Sequence, residues 1–175
     1  MMVIISVILL NVLWFACVLG ASNGLLWPSL ASLVVLLVVV FANTGFYKKD
    51  LYVIGFSLFI GILIDGLLQG SGLLVYASPF HEYSLLPPIW IMILWVGFAA
   101  SIKTGMQWFL RHPKLGVIVM TLGAPMSYYS ASRLGAVEIS SMLTALMAIA
   151  LGWLIYFLCI TQLFYPNGGR NDVLA

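Results

Sequence analysis

One carboxylate in this sequence stands where a carboxylate is costly. Asp65 lies inside LFIGILIDGLLQG, an apolar run with no other charge. If that run crosses a membrane, an ionisable group at such depth costs roughly 2.5–3.5 kcal/mol on insertion scales and turns toward other protein. Ser57, Gly61, Asp65 and Gln69 recur every four residues and share one helix face. Gly66 and Gly70 place a GxxxG pair on the adjoining face. A second helix is therefore expected to approach closely and bury Asp65. Two roles fit: a proton-linked or substrate-contacting carboxylate, or a structural acceptor held by Gln69, a tyrosine or Arg133. Both readings stand at this point.

Other polar candidates are expected at the same end of the molecule as Asp65. His81 and Glu82 fall in the connection 71–87, where solvation is their simplest explanation. Arg133 and Glu138 flank the connection between the last two apolar runs. Arg133 could bind a lipid phosphate or carboxylate, and a structural ion pair with Asp65 or Glu138 is the expectation. Gly123 and Pro125, followed by Tyr128 and Tyr129, predict an interrupted or kinked helix. Such a helix must face protein or water, where freed backbone groups find partners. Trp90 and Trp95 either line an acyl groove or lie in the membrane belt, and Gly97, Ser101 and Gly105 form a smooth packing stripe beside them. Lys103 is expected to snorkel, and Asn11 to hydrogen-bond between helices. No HExxH, GxSxG, CxxC or P-loop pattern occurs. His81 and His112 are expected on opposite faces of a membrane and cannot share a metal. Cys17 and Cys159 read as apolar packing residues, so neither a metal nor a cofactor is expected.

The elements that must position these residues follow from composition. Of 175 residues, 63% are hydrophobic and 7% charged, against about 25% charged in soluble domains. So few charges cannot wet so much apolar surface, and lipid is the remaining solvent. The net charge of +2 is small and the basic residues are scattered, which excludes a nucleic-acid interface. Six apolar stretches, 3–20, 25–42, 51–70, 88–106, 115–130 and 141–164, predict an all-α, polytopic transmembrane bundle, with a short tail over 166–175. The first lacks a preceding Lys or Arg, so it reads as a retained span rather than a signal peptide. Lys48, Lys49, Lys103, Arg111, Lys114 and Arg170 fall at alternate connections. They predict both ends in the cytoplasm of a bacterial inner membrane. Trp27, Tyr47, Tyr52, Tyr76, Trp108, Tyr128 and Tyr165 lie near the span ends, as an aromatic belt would.

NVLWFACVLGAS, Asp65-Gly66, PPIWIMILWVGFA and LGAPMSYYSASRLGA together carry a family resemblance over most of the chain. The sequence resembles small bacterial inner-membrane proteins grouped as a domain of unknown function. Where those relatives often have a glycine in the stretch matching YYSASRLG, this chain has Ser130 and Ser132. The resemblance implies genes beside a cyclopropane-fatty-acid synthase and other lipid-modifying or light-stress functions. It implies a role in modifying or handling acyl chains, with membrane lipid, a lipid-modifying enzyme or a second copy of the chain as partner. It assigns no catalytic residues. Two rivals remain: a proton- or anion-linked transporter or lipid flippase built on Asp65, Arg133 and the Gly-Pro segment, and a membrane-embedded enzyme using Asp65 or Glu138 near His81.

Overall fold

A computed structural model describes residues 2–78 and 86–166; His81, Glu82 and Arg170 fall outside them. Seven helices carry the described chain: α1 (Met2–Ser22), α2 (Trp27–Thr44), α3 (Lys48–Gly70), α4 (Ile89–Ser101), α5 (Gln107–Arg111), α6 (Pro113–Arg133) and α7 (Met142–Phe164). Four of them, α1, α2, α3 and α7, are long and apolar enough to cross a membrane, as in a membrane protein. Their outward faces carry large apolar side chains, among them Leu143, Leu67 and Trp27. Helix is the form that lets such segments satisfy every backbone group internally.

The all-α expectation needs one correction. Two short strands, β1 (Leu74–Tyr76) and β2 (Val137–Ile139), pair antiparallel, with Val75 opposite Glu138. The cause lies in matched helix ends. After α3, Gly72 has φ 71°, and Leu73 N donates back to Leu68 O; after α6, Gly135 has φ 79°, and Ala136 N donates to Ala131 O. Both are glycine-terminated ends that reverse the chain. Each strand starts two residues beyond its glycine. Leu74, Tyr76 and Val137 point inward, while Val75 and Glu138 point outward.

The fourth stretch is also shorter than expected. Helix α4 ends at Ser101, and 102–106 form turns. Hydroxyls compete for its last carbonyls: Ser101 Oγ donates to Gly97 O at 2.9 Å and Thr104 Oγ1 to Ser101 O at 3.2 Å. At 13 residues, α4 is about 20 Å long. It is the central element, packed on α1, α2 and α3, with Trp90, Ile91, Ile93, Trp95, Ala99 and Ala100 buried. The smooth stripe does face α1: a Cβ on Gly97 would lie 2.1 Å from Leu13, and one on Gly105 3.4 Å from Val7. Helix α3 packs on α7, and α7 on α6.

Helix α6 runs unbroken through Gly123 and Pro125, which corrects the expected interruption. A proline removes only its own donor, here the bond to the Thr121 carbonyl. The close packing of α6 on α7 keeps the segment helical. A Cβ on Gly116 would stand 2.4 Å from the Phe157 ring, which shows how near the two backbones lie.

Lys103 lies in the turn after α4 and makes an ion pair rather than snorkelling alone. Its ammonium is 2.7 Å from Asp50 Oδ2 and donates to Gly45 O at 3.0 Å. The same Asp50 oxygen accepts from Tyr47 N at 2.8 Å, capping α3. One carboxylate thus ties the α2–α3 connection to the end of α4. Asp50→Ala should lower stability by about 1–3 kcal/mol, read as the thermal midpoint in detergent. Asp50→Asn, which keeps an oxygen for the Tyr47 amide, should lose less.

Candidate functional site

Asp65 is wholly buried, at 0% exposure. Three donors from three segments converge on its carboxyl. Tyr76 Oη on β1 donates to Oδ1 at 2.6 Å, Tyr128 Oη on α6 donates to Oδ1 at 2.5 Å, and Trp95 Nε1 on α4 donates to Oδ2 at 2.6 Å. An indole can only donate, so Oδ2 is an acceptor here. Burial first, and then the neighbouring Asp65 charge, push the Tyr76 phenol well above its ordinary value. Tyr76 therefore keeps its proton and remains a donor.

Each donor is itself held in place. The Trp95 ring occupies the space that Gly61 leaves empty: a Cβ there would stand 2.3 Å from the indole. Trp95 stacks on Trp153 at 4.7 Å and 18° between planes, with Tyr156 edge-on at 5.0 Å. Tyr156 Oη in turn lies 2.8 Å from Ser57 Oγ. The four-residue stripe Ser57–Gly61–Asp65 is thus the face of α3 that receives α4 and α7. Tyr76 packs edge-on against Trp90, whose Nε1 donates to Ala77 O at 3.0 Å.

Beside this cluster lies a groove of about 460 Å³ between α1 and α6, floored by α4 and reaching Trp153. Leu10, Trp14 and Phe15 form one wall, and Val119, Gly123 and Met126 the other. Trp90, Trp95 and Tyr128 also line it. Two of the three Asp65 donors, Trp95 and Tyr128, therefore also line the groove. None of the lining residues is charged.

Among the described residues, Arg133, Glu138 and Tyr129 make no hydrogen bond to Asp65. Arg133 is exposed at the last turn of α6 and Glu138 is exposed on β2. Among the described residues, Arg133 pairs with neither Asp65 nor Glu138, which corrects the expected ion pair. A cation at a helix C-terminus is favoured by the helix dipole without a carboxylate partner. Gln69 is half-buried at the end of α3, and Tyr129 is exposed. Of the expected belt aromatics, Trp27, Tyr47, Tyr52 and Trp108 are exposed. Tyr76 and Tyr128 instead turn inward to Asp65, and Tyr165 is buried with the Lys49 ammonium 4.4 Å from its ring centre. Both cysteines are free thiols. Among the described residues, no group of three or more His, Cys, Asp or Glu could hold a metal.

Residues 3–159 match the family model described as "Protein of unknown function (DUF2878)", and the chain belongs to that family. No curated protein and no solved structure matches it.

The Asp65 carboxyl accepts from three side-chain donors. Asp65→Ala strands three buried donors, each costing about 1–3 kcal/mol. The variant should lose on the order of 3–6 kcal/mol, seen as a large drop in thermal midpoint or as failure to accumulate. Tyr76→Phe, which removes one donor, should lose about 1–2 kcal/mol. An Asp65→Ala protein as stable as the parent would contradict this expectation.

Proposed function

We propose that this chain binds lipid within the membrane, taking one acyl chain into the groove between α1 and α6, in support of membrane lipid or fatty-acyl modification. The observation that carries the reading is the groove itself. It is uncharged and about 460 Å³ in volume, with Leu, Met, Trp and Phe making up half of its lining residues. Phe15 and Met126 on its two walls are half exposed or more. A groove opening between two lipid-facing helices meets acyl chains rather than water, so little polar surface must be stripped of water on entry.

In this reading six segments cross a bacterial inner membrane: α1, α2, α3, α4 with its following turn, α6 and α7. Lys48, Lys49, Lys103, Arg111 and Lys114 gather at one end and Arg133 at the other. Both chain ends then face the cytoplasm. Ion-linked transport has less support, because Asp65 is closed behind Tyr76, Trp95 and Tyr128. The acyl chain would be held for a partner enzyme that modifies it, or handed on between leaflet and partner.

Gly123 gives a direct test. A Cβ there meets nothing within 4 Å, so Gly123→Leu adds a side chain on the groove wall and improves helix propensity. The variant should fold at least as well as the parent and lose copurifying lipid by mass spectrometry. Retention of the same lipid at the same ratio would defeat the reading. Separately, reporter fusions at the two termini should both report the cytoplasmic face.

A further inference from the structure

The groove contains two polar side chains that its apolar character does not explain. Asn11 on α1 is exposed, and its Nδ2 spends one N–H on Val7 O at 2.8 Å. Its second N–H has no partner among the described residues. Ser127 on α6 is half-buried, and its hydroxyl makes no hydrogen bond among the described residues. Its neighbours behave differently: Ser130 Oγ donates to Met126 O at 2.8 Å and Ser132 Oγ to Tyr129 O at 2.8 Å. Those hydroxyls fold back on their own helix, the usual resting place for a serine in an apolar setting. Asn11 and Ser127 line the groove from its two walls, as Ser130 does, but each keeps a donor with no partner among the described residues. A donor facing hydrocarbon without an acceptor is costly.

We infer that the groove selects an acyl chain carrying a neutral ester carbonyl, received by the Asn11 amide and the Ser127 hydroxyl. This deepens the lipid-binding reading and rests on it. Each group has a donor to offer; the Asn11 oxygen and the Ser127 hydroxyl can also accept, and an ester carbonyl meets the donors of both walls. The acceptor is uncharged, because no cation lines the groove and a buried anion without a positive partner is unstable. The Tyr128 hydroxyl is committed to Asp65, which leaves reception to Asn11 and Ser127.

The test is displacement of radiolabelled methyl palmitate from the purified full chain in detergent micelles. Unlabelled methyl palmitate, hexadecane and ionised palmitate serve as competitors at equal mole fraction. Methyl palmitate should displace about five- to tenfold better than hexadecane, the value of one or two hydrogen bonds. Ionised palmitate should compete less well than the ester. In Asn11→Leu with Ser127→Ala, the ester's advantage over the alkane should fall to parity, and each single variant should lose part of it. Parity in the parent protein, an unchanged ratio in the double variant, or palmitate outcompeting the ester would each overturn the inference. If alkane and ester bind equally while Gly123→Leu blocks both, only the ester selectivity fails. If the labelled ester does not bind the parent at all, the groove reading fails and this inference with it.

Discussion

A carboxyl group in the interior of an apolar bundle must find donors, and Asp65 finds three. What matters for the architecture is where they come from. Tyr76 sits on the strand after α3, Trp95 at the middle of the central helix, and Tyr128 near the end of α6. These segments are far apart in sequence, and α6 packs chiefly on α7 rather than on α3. The hydrogen bonds therefore fix distances that helix packing leaves loose. Nonspecific apolar contact cannot do this in lipid, where the hydrocarbon competes on equal terms with side chains and directional bonds carry more of the specificity. The short strand pair serves the same end, holding Tyr76 at the depth of the carboxyl.

Much of this was written into local sequence. The spacing Ser57–Gly61–Asp65 announced a face that receives another helix, and the structure places Trp95 in the gap at Gly61. The stripe Gly97–Ser101–Gly105 likewise announced a packing face, which α1 occupies. Both signals are legible because a missing side chain at regular intervals has one physical use, close approach. The partners of Asp65 were less legible. A tyrosine near the end of an apolar run reads equally as an interfacial anchor or as an inward donor, and Tyr128 and Tyr52 look alike until the bundle assembles. Arg133 misled for the related reason that charge complementarity is visible in sequence while orientation is not. The strand pair was hidden because three residues are too few for alternation to declare itself. Its signal was the repeated glycine, Gly72 and Gly135, at the ends of two distant helices.

The central helix links the acceptor to the groove. Because α4 is short and enclosed by α1, α2 and α3, its large side chains have few directions in which to point. Trp90 and Trp95 turn toward the gap that remains between α1 and α6. Each has its indole nitrogen occupied, Trp90 by Ala77 O and Trp95 by Asp65. Their rings are therefore oriented as well as packed, and a stacked Trp153 backs the second.

It follows that the groove wall and the buried carboxyl are one construction seen from two sides. Trp95 and Tyr128 both line the groove and donate to Asp65. A wall made of rings without such anchors would close on itself in the absence of an occupant, since apolar side chains gain contacts by collapsing into a void. Hydrogen bonds to Asp65 oppose that collapse. The Asp65 carboxyl thus shares two of its donors with the groove wall.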